Sequence, residues 1–160
     1  MPKLIKQSCI SSDHWLPAEA EAGQAPPNCF PSLRQWEENP AGSRSAVQLE
    51  PGDGITALCS VLDTLQIVAI AFPAFMDGRG FSYARELRQR GYNGELRAVG
   101  NFMPDQLHYL RRCGFDAFQP ADESRLDECL RQLRVFSEQY QASIDEPLPL
   151  FRRRGAAAHS

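Results

Sequence analysis

The segment Gln66–Phe72 (QIVAIAF) constrains the fold more than any other part of the sequence. Every residue after Gln66 is apolar, which is typical of a strand that is covered on both faces of a sheet. Pro73 follows directly and predicts the end of the strand, because proline cannot donate a ladder hydrogen bond. Strands of this kind are found in parallel sheets, so the segment predicts an α/β fold.

Strand and helix patterns alternate along the chain after residue 45. Strand candidates begin near positions 46, 66, 95 and 115, and a helical apolar stripe follows each of them. Short connections between such units imply right-handed crossovers and a parallel sheet. Four strand–helix units predict a small parallel sheet that is either flavodoxin-like or half-barrel-like, and the sequence leaves both alternatives open. A half-barrel would expose strand edges, which favours a homodimer or a cover supplied by the N-terminal arm.

Capping residues and glycines predict where the helices begin and end. One short helix is expected over residues 32–38, with Leu33 and Trp36 facing inward. Asp53 can cap a helix that buries Ile55 and the leucines that follow it. Further helices are predicted over residues 80–90, 104–113 and 121–141.

The pattern divides the chain into three parts. Residues 1–44 have little periodicity and predict an irregular N-terminal arm, residues 45–144 an α/β domain, and residues 145–160 an extended C-terminal tail. The tail is either a strap that packs across the domain or a peptide that docks on another protein. Its docking residues would be Leu148, Leu150, Phe151, Arg152 and Arg153.

The net charge of −3 is unevenly distributed. The segment from Arg79 to Arg112 contains seven arginines and three acidic residues, so it carries +4 and the remainder carries −7. A local basic segment of this kind favours a small anion or an acidic protein surface as partner. It does not indicate a nucleic-acid binder, whose basic excess usually extends over the whole domain. The alternative is that these arginines lie on solvated helix faces.

Other compositional features argue against several classes of protein. The five cysteines include no C-x-x-C pair and the three histidines are scattered, so we expect no metal site and find no evident cofactor motif. Cys113 lies at a predicted helix C-terminus, where the helix dipole disfavours a thiolate, and is interpreted as a buried structural thiol. The longest apolar run is too short to cross a membrane, and the first ten residues do not resemble a signal peptide. We therefore expect a cytoplasmic protein without nucleic-acid or membrane partners.

The loop between the QIVAIAF strand and the next helix is the best candidate site, because ligands bind at the carboxyl ends of parallel strands. Two glycines permit a tight backbone bend, and the helix start together with an arginine fork favours an anion. The glycine spacing matches neither the dinucleotide fingerprint nor a P-loop. The predicted anion-binding or partner-binding residues are Asp77, Gly78, Arg79, Gly80, Ser82 and Asn101. The alternative is a well-capped turn in which Arg79 binds its own backbone or Asp77.

Three stretches and the tail resemble a bacterial family of unknown function. Residues 72–82 (FPAFMDGRGFS), 94–100 (GELRAVG) and 110–116 (LRRCGFD), with residues 147–154 (PLPLFRRR), are similar to domain of unknown function family 934. The resemblance covers about residues 45–140 and the tail. It implies a role in sulfite reduction, because members are described as probable oxidoreductases that accompany assimilatory sulfite reductase. Asn101 stands where the family pattern has an acidic residue, which argues against an acid–base role for that strand end.

The leading hypothesis is therefore an accessory protein of assimilatory sulfite reduction. It would dock on or assist a sirohaem sulfite reductase and bind a small oxyanion at the Asp77–Ser82 loop. The alternative hypothesis is a small oxidoreductase in sulfite reduction that uses a cofactor supplied by a partner. A third is a regulatory or assembly factor whose anion is a phosphorylated metabolite. The sequence identifies no catalytic residues.

Overall fold

The computed structural model describes residues 1–16, 29–38, 45–74 and 78–135. These residues form a six-stranded sheet with helices packed against it. The strands are β1 (Lys3–Lys6), β2 (Cys9–Ser12), β3 (Ala46–Leu49), β4 (Ile67–Phe72), β5 (Glu95–Gly100) and β6 (Ala117–Pro120). The α-helices are α1 (Leu33–Glu38), α2 (Arg79–Gln89), α3 (Leu107–Cys113) and α4 (Leu126–Val135).

Strands β3 to β6 are parallel, and each pairs with the next one along the chain. The QIVAIAF segment is β4, which lies between β3 and β5 with Ile67 opposite Glu95 and Phe72 opposite Gly100. This interior position accounts for its continuous apolar sequence. The sequential order of the parallel strands is that of a half-barrel, since a flavodoxin-like sheet would interrupt it. The α/β fold with a parallel sheet is confirmed.

The first twelve residues form a β-hairpin that the sequence pattern did not predict. Strand β1 is antiparallel to both β2 and β6, with Ile5 opposite Phe118. Gln7 and Ser8 form the two-residue turn with φ angles of 52° and 59°. Such a turn usually contains Asn-Gly, so Gln-Ser gave no turn signal. The arm thus begins as part of the sheet, and it covers the edge of β6 that would otherwise be open.

The segment after β3 differs from the predicted single helix. It contains two short 3₁₀ helices, Thr56–Leu58 and Leu62–Thr64. Asp53 does not cap a helix; its carboxylate accepts a hydrogen bond from the backbone N–H of Glu50, at 2.7 Å. Gly54 follows with φ +74°, which turns the chain before a regular helix can begin. The predicted apolar stripe is nevertheless buried, at Ile55, Leu58, Leu62 and Leu65.

The other helices agree closely with the sequence pattern. Helix α1 buries Leu33 and Trp36, as predicted. Helix α2 is followed by Gly91 and α3 by Gly114, both with positive φ. A 3₁₀ turn precedes each of the last two helices, at Pro104–Gln106 and Glu123–Arg125. The predicted extension of the last helix beyond Val135 lies outside the described residues.

Alternate strand residues enter two separate cores, one on each face of the sheet. On the helix side, Val68, Ile70 and Phe72 pack with residues of the helices. On the other face, Ala69 packs in a smaller cluster that includes Phe30 and Val99. Residues 13–16 and 29–32 lie against this second face, where Trp15 stacks on Phe30. No helix among the described residues is long and apolar enough to cross a membrane.

Candidate functional site

The turn before α2 presents two of the predicted site residues to solvent. Gly78 is the N-cap residue and Arg79 the first residue of α2, and both are exposed. Glycine has no side chain that could accept a hydrogen bond from the N–H groups of the first helical turn. Other acceptors must therefore bind these N–H groups. The Arg79 guanidinium lies beside Gly52. A Cβ atom added to this glycine would lie 3.7 Å from Nη1 of Arg79. The helix start and this guanidinium are the parts that an anion site requires.

Gly80 is buried, and packing explains why this residue is a glycine. A Cβ atom here would lie 2.6 Å from Cζ of Phe72 and 3.0 Å from Cγ2 of Ile70. The Phe72 ring cannot move aside easily, because it packs against the rings of Phe81 and Phe102. The second glycine of the loop is therefore required for the close contact of α2 with β4.

The remaining predicted residues do not share one location. Ser82 is exposed one turn into α2, where it lines a surface groove with Arg85, Glu86 and Arg90. Asn101 instead lines a cavity at the end of β5 to which none of residues 78–82 contributes. Asp77 and the predicted docking residues of the tail lie outside the described residues.

This cavity at the carboxyl ends of the parallel strands, called here the strand-end cavity, has a volume of about 420 Å³. The ends of β4, β5 and β6 form its walls, together with Leu16 of the N-terminal arm. Asn101 follows β5, Gln119 lies in the last part of β6, and both line the cavity. Parallel α/β sheets bind ligands at this edge, so the cavity is a candidate binding site on grounds of topology.

Two carboxylates give the strand-end cavity an acidic character. Glu50 and Glu123 line it, and none of the described lining residues is basic. Glu50 Oε1 accepts a hydrogen bond from Gln48 Nε2 at 2.6 Å. Glu123 Oε1 accepts one from the backbone N–H of Lys3 at 3.0 Å. The hydrogen-bond donors to both carboxylates are uncharged groups, and a sulfite-like anion would be repelled by the two negative charges.

On the second face of the sheet, Arg97 of β5 lies at the centre of a buried polar network. Its side chain is 1% exposed and pairs with Asp13 (Nη2–Oδ2, 2.5 Å) and Glu95 (Nη2–Oε1, 2.7 Å). Arg97 Nη1 also donates to Gln119 Oε1 at 3.1 Å, and the guanidinium lies 5.4 Å from the ring centre of Phe30. Burial lowers the pKa of Arg97, but Asp13 and Glu95 outweigh this effect, so its pKa is raised. The network connects the N-terminal arm to the centre of the sheet.

A second arginine of the basic segment also has an internal role. Arg88 donates to the backbone carbonyl groups of Tyr92, Gly94 and Gly114 and forms an ion pair with Asp116. It therefore connects the end of α2 to the turns before β5 and β6. With Arg88 bonded inside the fold and Arg97 buried, the basic segment presents fewer charges to a partner than its composition suggests.

The outer side of α2 and α3 carries an exposed aromatic residue beside an arginine. Tyr109 is 47% exposed, and the Arg85 guanidinium lies 5.6 Å from its ring centre. Arg90, which follows the end of α2, is exposed as well and lines a surface groove with Arg85. We call these three residues, Arg85, Arg90 and Tyr109, the helix-face patch. Tyrosine and arginine are enriched among the residues that dominate binding energy at protein interfaces.

The described residues contain no group of three or more histidine, cysteine, aspartate or glutamate side chains that could hold a metal ion. The five cysteines form no disulfide with one another. Cys113 is fully buried at the end of α3, as expected for a structural thiol. Burial raises the pKa of Cys129 to about 11.

A family model described as "Bacterial protein of unknown function (DUF934)" matches residues 46–151. The match covers well over half of the chain, including strands β3 to β6. The chain belongs to the DUF934 family. No curated protein and no solved structure matches it. In this DUF934 member, Arg97 and most walls of the strand-end cavity lie within the matched region, whereas Asp13 and the hairpin precede it.

The sequence pattern did not reveal the buried network or the two cavity carboxylates. One signal was present: Glu95 and Arg97 are charged residues at alternate positions of a predicted strand of the parallel sheet. Charged residues at alternate positions of such a strand must find partners on the second face. The partner Asp13 is 84 residues away in sequence, so no local pattern could identify it.

Proposed function

We propose that this DUF934 protein is an accessory protein of assimilatory sulfite reduction that docks on a sirohaem sulfite reductase. Family membership over residues 46–151 supports the resemblance from which this role is inferred. The helix-face patch carries the docking half of the proposal. It combines exposed arginines with an exposed tyrosine, a composition that suits an acidic protein surface.

Docking through the helix-face patch would depend on charge and on the tyrosine ring. The Arg85 guanidinium lies over Tyr109, so a partner carboxylate could approach the cation while apolar groups cover the ring. The positive charge of Arg90 is partly neutralised by its ion pair with Glu86. Arg85 is therefore the arginine of the patch that we expect to attract a partner carboxylate more strongly. The C-terminal tail is the second element of the docking proposal, through Phe151 and its flanking leucines and arginines.

The experiment measures binding of the full chain to purified sulfite reductase by biolayer interferometry at two salt concentrations. Arg85→Glu and Tyr109→Ala are each expected to weaken binding at least about tenfold, as interface anchors do. Arg131→Glu, an exposed change on α4, is the matched control and is expected to weaken binding much less. Absence of binding by the wild-type chain, or equal effects of Arg85→Glu and Arg131→Glu, would contradict docking at this patch.

The oxyanion half of the proposal concerns the start of α2. Gly78 and Arg79 are exposed there, and the strand-end cavity is too acidic to accept the same ligand. Calorimetric titration with sulfite, sulfate and phosphate tests it directly. Arg79→Ala is expected to abolish the heat of sulfite binding, and Arg131→Ala to preserve it. Identical titrations of both variants and of the wild type would remove the oxyanion from the proposal without affecting docking.

A further inference from the structure

We propose that the strand-end cavity binds an organic cation, an ammonium or guanidinium group on a short apolar stem. The cavity lies where parallel sheets bind ligands, and its volume of about 420 Å³ is within the usual range of small-molecule sites. It does not overlap the start of α2, and the proposed oxyanion is of opposite charge. The inference is therefore independent of the proposed function.

The charge of the ligand follows from the lining side chains. Among the described residues that line the cavity, Glu50 and Glu123 are the charged ones, and both are acidic. The hydrogen bonds described above engage Oε1 of each carboxylate with an uncharged donor. An ionised carboxylate has about four acceptor sites, so each keeps capacity for a charge-assisted bond from a cation. Glu50 is partly buried, which strengthens such a bond relative to one in open water.

The apolar stem follows from the rest of the wall. Ala71, Val99 and Leu16 line the cavity and offer hydrocarbon surface to the stem of a ligand. Asn101 adds a polar contact: its Nδ2 donates to the carbonyl oxygen of Pro73 at 3.1 Å, so Oδ1 remains to accept a hydrogen bond from a ligand. Acceptors and carboxylates beside an apolar wall match a donor-rich cation on a methylene chain.

Hydrogen bonds hold two buried polar side chains of the wall in place, and one of these side chains belongs to the Arg97 network. Gln119 is 5% exposed, accepts from Arg97 Nη1, and donates to the carbonyl oxygen of Trp15 at 3.4 Å. Gln48 is 2% exposed and donates to Glu50. Side chains fixed by such bonds lose little freedom when a ligand arrives, which favours binding. The Arg97 network thus supports one wall of the proposed site.

The test uses two-dimensional NMR of the full chain with n-butylammonium, n-butylguanidinium and n-butyrate as probes. We expect both cations to shift the backbone amide signals of Asn101 and Ala121 in a saturable manner, and butyrate to leave them unchanged. Glu50→Gln keeps the acceptor for Gln48 but removes the charge, and is expected to weaken cation binding at least about fivefold. Glu123→Gln should weaken it in the same direction, and this exposed change is not expected to affect folding.

The matched control is Glu37→Gln, which removes an exposed carboxylate on α1 outside the cavity. It is expected to leave the affinity for both cations within about twofold of the wild type. Absence of saturable shifts with either cation would overturn the proposal, as would equal binding of butyrate or unchanged affinity in both cavity variants.

A blocked lysine amide, compared with n-butylammonium, distinguishes the two sources of such a cation. Comparable affinities would indicate that a side chain of another protein can enter the cavity. Weaker binding of the blocked amide would indicate a free small amine. Both results support a cation site.

Discussion

Replacing Arg97 with methionine should destabilise the protein strongly, although this residue lies outside both proposed ligand sites. The change removes the cation shared by Asp13 and Glu95, and breaking a buried ion pair costs about 3–5 kcal/mol. The lower end applies here for two reasons. The Asp13 side chain is 27% exposed and can be partly hydrated, and Glu95, at 8%, keeps its ion pair with Lys6. We therefore expect a loss of about 3 kcal/mol in the free energy of unfolding.

In a chain of this length, 1 kcal/mol corresponds to about 2–4 °C, so Tm should fall by about 6–12 °C. Urea denaturation followed by circular dichroism gives the free energy, and a thermal scan gives Tm. Arg131→Met, on the exposed side of α4, is the control and should leave both values nearly unchanged. A double-mutant cycle with Asp13→Asn should show coupling of about 1–3 kcal/mol. A loss below about 1 kcal/mol in Arg97→Met, or an additive cycle, would refute the assignment of Arg97 as the centre of the network.

Three further changes test other parts of the fold. Gly100→Ala should lower the free energy of unfolding, measured in urea, by about 3 kcal/mol or more. The reason is that φ is +113° and the new Cβ would lie 2.6 Å from the backbone oxygen of Phe72 in β4. A loss under about 1 kcal/mol would contradict this. Replacing Gln7 and Ser8 by Asn and Gly should raise stability by about 1 kcal/mol, since both residues have positive φ; unchanged stability would argue against this turn. A thiol reagent at pH 8 should modify exposed Cys9 rapidly but Cys129 only after denaturation. Equal modification rates for both thiols would contradict the burial of Cys129. Burial raises the pKa of Cys129 in the folded protein to about 11. The contribution of this thiol to the free energy of unfolding should therefore be complete below the unfolded pKa near 8.5 and be lost as the pH rises to about 11.

The parallel half of the fold was predictable because its signals are local. The apolar run of β4, the glycines after α2 and α3, and the proline that ends β4 each act within a few residues. The prediction that Asp53 caps a helix was wrong, and the reason is local as well. Its carboxylate bonds backward to Glu50, and glycines on both sides have positive φ, so a strong N-cap residue closes a turn instead of opening a helix.

The hairpin and the polar network could not be predicted, because they depend on contacts between distant parts of the chain. Lys3–Lys6 has two adjacent apolar residues, Leu4 and Ile5, and therefore no strand-like alternation. Its pairing with β6 is set by an edge that exists only after folding. The candidate site shows the same division. Gly78 and Arg79 lie at an exposed helix start, close in sequence to the strand that predicted a site there. The acidic character of the cavity beside Asn101 instead depends on Glu50 and Glu123 from two separate connections.

The antiparallel pairing of β1 with β6 also sets an order of events during synthesis. Ile5 pairs with Phe118, so a strand made early must wait until much of the chain has left the ribosome. At about 5–20 residues per second, that interval is several seconds or longer. During it, the hydrogen-bonding groups of β1 have no strand of the parallel sheet to join. The sheet can therefore be completed only after β6, its last parallel strand, has been made.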